Sequence, residues 1–422
     1  MQRQALSFEA RAAALAVCLA STAFGDANTV VKPESVGFSS KRLEPLGNVL
    51  RADVEKGRIP GAVMLIERRG KIAYFEAFGM RDKAKGAPMT KDAIFRIYSM
   101  TKPFTSVATM MLAEEGRFRL NDPIARHLPA LANLKVGIEK PDPAGGAPTV
   151  EQVAATRQPT VQDLLRHTSG LTYGVFGRGA VKTLYNQAGV GRGDDTSADL
   201  VEKLGKLPLM YQPGTTWEYS HSTDVLGRLV EVVSGQTLDQ FFQQRLFAPL
   251  GMKDSGFFVP AEKLERLAQP GNNPETGAPE RVIDVTKPPK YLSGGGGGVS
   301  TTLDYLRFCR MMLNGGELDG TRLLGRKTVE LMTSDHLGSI SGPAFIPGQG
   351  FGFGLGFAVR KEPGGPAMPG SIGDYYWGGL AGTYFWIDPR EKLIAVFMIQ
   401  APSQQPYYPS VIRMLVEQAI VD

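Results

Sequence analysis

A chain of 422 residues with 42% hydrophobic and 21% charged side chains can bury a real core, as one large domain or two ordinary ones. Its 47 basic and 42 acidic residues leave a formal charge of +5 with no basic tract, which argues against a nucleic-acid partner. Two cysteines exclude a disulfide framework, and four histidines without metal-ligand spacing point to no metal.

The chain opens on an apolar run from Ala12 to Phe24, preceded by Arg3 and Arg11 and closed by Ala23-Phe24-Gly25. This pattern reads as a signal peptide over residues 1–25, too short to span a bilayer. It predicts export to the periplasm or medium, without stable membrane insertion. If the segment is not a signal peptide, the protein stays in the cytoplasm. Cys18 lies within it, which leaves Cys309 as the mature chain's lone thiol.

Leu43, Leu46, Leu50 and Val54 repeat at helical spacing after the capping pair Ser39-Ser40, and Gly57 and Pro60 end that helix. Residues 61–67 and 72–78 read as a β-hairpin about Arg69-Gly70. Lys102 to Glu115 is apolar on most sides and predicts a buried helix stopped by Gly116. The Pro/Gly-rich stretch 129–160 is expected to be an irregular, mobile excursion. Helices are expected at 161–166, 198–206, 225–233 and 238–247.

Gly294 to Gly298 lack the Gly-Lys-Ser/Thr close of a phosphate loop and read as a tight turn. Thr301 and Asp304 then form a capping box for a helix that ends at Gly315-Gly316 and holds Cys309 as a small buried residue. Strands follow at 382–387 and 393–399, then an amphipathic helix from about 410 to 420. Strands at both ends predict one sheet domain from 26–98 and 290–422, with a mainly helical domain over 99–289. The two domains meet at the helix that Ser99 opens.

Ser99-Met100-Thr101-Lys102 puts a hydroxyl and an amine on one helical face. A serine alcohol is a weak nucleophile, and a desolvated lysine can take its proton. The helix N-terminus favours negative charge developing at Ser99. Two more short elements follow in order, Tyr219-Ser220-His221 and Trp377-Gly378-Gly379. The chain has no Gly-x-Ser-x-Gly elbow, so a serine-histidine-acid triad is the weaker scheme.

The order and context of these three elements resemble the serine β-lactamase and penicillin-binding-protein superfamily. Trp-Gly-Gly as the third element is most similar to the family VIII carboxylesterases and related acyltransferases. The resemblance runs from about Ser35 to the end. It implies an α/β (α+β), β-lactamase-like fold: a mainly antiparallel sheet built from both chain ends, flanked by helices, plus a mainly helical domain. It also implies a serine carboxylesterase that hydrolyses short-chain acyl esters without a cofactor. Ser99 would be the nucleophile, with Lys102 and Tyr219 sharing the base and acid roles. The backbone N–H groups of Ser99 and Leu380 would form the oxyanion hole. Trp377, Gly378 and Gly379 would line the substrate site. His221 either contacts substrate, orients Tyr219 or is a satisfied half-buried histidine.

Where relatives that act on β-lactams and D-Ala peptides carry a lysine in the third element, this chain has Trp377. An indole offers apolar area and one N–H, not a cation for a carboxylate. That favours neutral esters as the small-molecule partner. A β-lactamase, a D-amino-acid peptidase and an acyltransferase are the alternatives. Tyr173, Phe176 and Tyr375 are candidate pocket walls, and loops 129–160 and 339–373 are expected to shape the pocket.

Overall fold

The computed structural model describes residues 28–146, 148–192 and 194–422. The segment 1–25 expected to be a signal peptide, with Cys18, lies outside the described residues. Eight strands form the main sheet: β1 (Gly61–Arg68), β2 (Lys71–Asp82), β3 (Ala87–Pro88), β4 (Phe351–Phe353), β5 (Ala358–Arg360), β6 (Tyr375–Gly378), β7 (Tyr384–Asp388) and β8 (Leu393–Ile399). Their order is β4-β5-β6-β7-β8-β1-β2-β3, antiparallel at every junction. The two chain ends join where Leu65 of β1 pairs with Val396 of β8.

Both faces of the central strands are covered, and residue alternation decides which face each side chain meets. Val63 and Leu65 of β1, with Ile394, Val396 and Met398 of β8, belong to the core shared with the helical half. Ala62, Met64 and Ile66 belong to a second core, with Ala395, Phe397 and Ile399. That second layer is closed by α1 (Ser40–Glu55) and α5 (Tyr408–Glu417). Ser39 caps α1, its Oγ accepting the Arg42 N–H at 3.3 Å.

On the other face lies α2 (Thr101–Glu114), buried from Thr101 through Leu112. It packs against α3 (Ser222–Ser234) and beside α4 (Thr302–Leu313). Phe104 of α2 meets the rings of Phe242, Phe247, Tyr305 and Phe308 at 4.8–6.4 Å between centroids. Cys309 is buried on α4, and burial pushes its thiol well up, so it stays an inert core residue.

Three expectations need correction. Residues 129–160 are not irregular throughout: Lys135–Lys140 pairs antiparallel with Thr149–Ala154. The Pro/Gly-rich stretch is the hairpin's connection, and its strands are mostly exposed, so their alternation is faint. A helix over Ala180–Gln187 was not expected. Thr301 does cap α4, but the Asp304 carboxylate does not close a capping box. It accepts the Asp254 N–H at 2.7 Å and the Ser255 hydroxyl at 2.9 Å instead.

Behind β6 and β7, Asp374 is buried between two guanidiniums, Arg360 and Arg413, each at 2.7 Å. Arg413 also donates to Tyr384 Oη at 2.9 Å. Glu417, on the same helix as Arg413, accepts the Trp386 indole N–H at 3.1 Å. Burial pushes its carboxyl up to about 7, against the opposing pull of Arg413. The folded state therefore keeps a proton that the unfolded chain, titrating near 4.5, has lost. This group's stabilisation is complete below pH 4.5 and is lost as pH rises through 7. Glu417→Gln is expected to raise the thermal midpoint at pH 8 and to leave it nearly unchanged at pH 4.5, read by melting curves at both values.

Candidate active site

Ser99 lies in a single 3-10 turn, Tyr98–Met100, that runs directly into α2. The turn is strained: Tyr98 has φ +44°, a left-handed conformation that costs a non-glycine residue about 1–3 kcal/mol. Neighbours hold it there. The Ile283 N–H donates to Tyr98 Oη at 2.8 Å, while Arg96 donates to the Ile283 carbonyl at 2.7 Å. Thr101 Oγ1 donates to the Tyr98 carbonyl at 2.6 Å and accepts the Gly298 N–H at 2.9 Å. The bend sets Ser99 at the head of α2, on the wall of a cavity.

Lys102 sits one turn further on and is only 2% exposed. Its Nζ donates to the Gly295 carbonyl at 2.6 Å, and lies 3.2 Å from Tyr173 Oη and 3.3 Å from Ser99 Oγ. It also stands over the ring of Tyr219, 4.5 Å from the centroid, and of Tyr173, at 5.4 Å. The amine is thus surrounded by a carbonyl, two hydroxyls and two aromatic faces. A lysine so enclosed, in contact with a serine hydroxyl, is placed to exchange a proton with it.

Tyr219 is held by rings. It stacks on Trp217 at 6.0 Å and 8°, and meets His167 at 5.1 Å and Trp377 at 5.5 Å. The Trp377 indole N–H donates to Tyr219 Oη at 3.3 Å. Burial, then the Lys102 charge, holds His167 well below its usual range, so it is neutral in the folded protein. Glu218 is buried and bound by Lys182 and by Thr172 Oγ1, both at 2.6 Å. Lys182 also donates to the Phe176 carbonyl at 2.7 Å, which ties the segment bearing Tyr173 and Phe176 to the Tyr219 segment.

The third element ends β6 and turns onto Ser99. A Cβ on Gly379 would lie 2.3 Å from both the Ile97 carbonyl and Thr383 Oγ1, so only glycine lets this turn close on the Ser99 turn. The Gly379 N–H donates to the Thr383 carbonyl at 2.7 Å. The next N–H, that of Leu380, has no acceptor among the described residues. Ser99, Tyr219, Trp377, Gly378, Gly379 and Leu380 line one cavity of about 480 Å³. Six of the eight expected site residues thus share one space. Lys102 lies beneath it, and His221 turns away, its Nδ1 3.1 Å from Asp224 Oδ2.

Of the other candidates, Phe176 lines the cavity, Tyr173 lies below it on Lys102, and Tyr375 is core, 2% exposed. Loop 339–373 contributes Ile346, Pro347 and Met368, and no described residue of 129–160 lines the cavity. Two residues escaped the sequence reading. Gly295 comes from the glycine run that reads only as a turn. Asp224 lies one helical turn after His221, in the first turn of α3, where an acidic residue reads as an ordinary helix-start charge.

The family model described as Beta-lactamase matches residues 46–416, and the chain belongs to that family. Protein Rv1367c of Mycobacterium tuberculosis is 37% identical over 365 residues, 83% of this chain and 88% of its own. Esterase EstB of Burkholderia gladioli is 33% identical over 357 residues, 78% of this chain and 83% of its own. Among solved structures, EstCE1, described as a hydrolase with promiscuous acyltransferase activity, superposes with a TM-score of 0.74 at 24% identity. That match spans 92% of this chain and 99% of EstCE1. The protein is a serine hydrolase of β-lactamase-like fold, with similarity to esterases.

The Gly379 contact makes a testable demand. Gly379→Ala is expected to cost about 1–3 kcal/mol through overpacking. A urea titration would read this as a lower midpoint with an unchanged slope, and hydrolysis by the folded variant should slow as the β6 turn moves off Ser99.

Proposed function

We propose that the protein is a carboxylesterase that cleaves short-chain acyl esters through an acyl-enzyme on Ser99. The observation that carries this reading is the character of the cavity wall. Among the described residues lining it, none is charged, while Phe176, Ile346, Met368 and three prolines supply apolar surface. The indole N–H of Trp377 is engaged with Tyr219. A neutral ester would be desolvated there without leaving a charge unpaired, whereas a substrate carboxylate would have no cation to meet it.

The steps follow from the groups at hand. Lys102, with Tyr219, takes the Ser99 proton as Oγ attacks the ester carbonyl. The carbonyl oxygen becomes an oxyanion, held by the Ser99 and Leu380 N–H groups. Tyr219 returns the proton to the leaving alkoxide as the C–O bond breaks, giving an alcohol and an acyl-serine. The Trp377 N–H stabilises charge on the Tyr219 oxygen while its proton is away. Water activated by the same groups then attacks the acyl-serine, releasing the acid and restoring Ser99. No cofactor or metal enters the scheme. The partner is a small ester, met outside the cytoplasm after removal of residues 1–25.

Acyl transfer is the second reading. The same apolar wall would hold an acceptor alcohol in place of water, and EstCE1 carries such an activity in its description.

The test compares p-nitrophenyl acetate, butyrate and octanoate with nitrocefin, using wild type and Ser99→Ala. Short esters are expected to turn over fast and nitrocefin slowly, with the ester rate falling about 10⁴-fold or more in the variant. Fast nitrocefin with slow esters would move the protein to the lactamase reading. An acetyl ester of an added alcohol among the products would favour transfer.

A further inference from the structure

Beneath the cavity a carboxylate is buried that the proposed steps do not use. Asp224 of α3 is 3% exposed and has four donors around it. Oδ1 accepts the Ser293 hydroxyl at 2.6 Å and the Gly295 N–H at 2.9 Å. Oδ2 accepts from His221 Nδ1 at 3.1 Å and, more distantly, from Tyr173 Oη at 3.5 Å. Burial would raise this carboxyl, but the His221 bond and charge, then Lys102 and Ser293, outweigh it and hold it well below the usual range. It is an anion in the folded protein at every ordinary pH.

Two of these partners also hold Lys102. The Gly295 N–H points to Asp224 while its carbonyl takes the Lys102 amine at 2.6 Å. Tyr173 Oη lies between Asp224 and Nζ, 3.2 Å from the latter. The four groups close a ring: amine, Gly295, carboxylate, phenol. A Cβ on Gly295 would stand 2.7 Å from Asp224 Oδ2, and one on Gly294 would meet the Thr223 carbonyl at 2.9 Å. The glycine run therefore brings its backbone against α3 where any side chain would push it off.

We infer that Asp224 is a positioning residue for the Ser99–Lys102 pair, aiming the Lys102 amine through the Gly295 backbone on one side and Tyr173 Oη on the other. The inference rests on the reading of Lys102 as the base for Ser99. It also gives His221 a role: its ring packs edge-on to Tyr173 at 4.3 Å and its Nδ1 pairs with the carboxylate, so it closes the ring from outside rather than touching substrate. Asp224 does not line the cavity, so it acts only through its neighbours.

The titratable groups around the carboxylate are Lys102 of α2, His167, Tyr173 and Tyr219 from the segments over it, His221 ahead of α3, and Tyr291 before the glycine run. Lys102 is the one cation among these that the ring fixes beside Ser99. Removing the carboxylate takes away the acceptor of the Gly295 N–H and of Tyr173 Oη, so the amine should be aimed less well.

The experiment uses the full chain as wild type, Asp224→Asn, Tyr173→Phe and Glu231→Gln. Glu231 is a second buried carboxylate of α3, bound to Arg228 at 3.1 Å and outside the ring. For each, kcat and KM for p-nitrophenyl butyrate are measured across pH, with the rate of Ser99 labelling by a fluorophosphonate read by intact mass. Asp224→Asn is expected to lose about 10²-fold in kcat and in labelling rate, as misplacing a reacting group does. KM should hold, because Asp224 does not line the cavity. Tyr173→Phe breaks one arm and should lower kcat less, again at constant KM. Glu231→Gln should lower the melting temperature and leave kcat and the labelling rate in place.

A folded Asp224→Asn with wild-type kcat and a wild-type labelling rate would overturn the inference. Should that variant not fold, an unchanged kcat in Tyr173→Phe would overturn it. Wild type that labels at Ser99 but turns over no ester would sink the esterase reading alone. The ratio of labelling rates between wild type and Asp224→Asn would then still decide the role of Asp224.

Discussion

A lysine amine cannot be buried without acceptors, and the site of this protein is organised around that constraint. Lys102 lies inside the molecule, beside the Ser99 hydroxyl on which the proposed mechanism has it act. Its acceptors come from distant parts of the chain: the Gly295 carbonyl, the Tyr173 hydroxyl and Ser99 itself. Two aromatic faces complete the shell. The anion that balances the amine stands one group further off, at Asp224, so the amine is held without a direct ion pair that would fix its proton.

Each supporting element can be seen as answering that need. The strained Tyr98 turn brings the serine hydroxyl to the amine, and Ile283, Arg96 and Thr101 offset the strain with hydrogen bonds. The glycine run lets a backbone carbonyl approach where no side chain would fit. The buried Lys182–Glu218 pair ties the Tyr173 segment to the Tyr219 segment, so both phenols keep their distance from Lys102. The sheet supplies the opposite wall. β6 is fixed by β7 through the register of Trp377 with Phe385, and Gly379 lets its end fold onto the Ser99 turn.

Trp377 changes the electrostatics of that wall. It places a large apolar ring at the cavity and spends its single donor on Tyr219. The polar machinery then faces inward, and the substrate meets carbon. Such a division suits a reaction in which charge appears only during the chemical step, at the carbonyl oxygen and at Tyr219.

Much of this was legible in the sequence. Local rules suffice for the capped helix after Ser39, the hairpin at Gly70 and the apolar helix after Ser99, because each is a pattern of neighbouring residues. The Ser99–Lys102 spacing likewise follows from helix geometry, and the resemblance joined it to Tyr219 and Trp377. The hairpin across 135–154 was hidden because its strands are mostly exposed and its connection rich in proline and glycine. Asp224 and Gly295 were hidden for a different reason. A buried carboxylate is defined by its donors, and these come from residues 173, 221, 293 and 295. A glycine is defined by what lies where its side chain would be. By itself the sequence determined the chemical groups and their helical pairing. Only the tertiary structure decided which carbonyl, phenol and carboxylate surround the amine, because contacts between segments far apart in sequence are set by packing and not by local pattern.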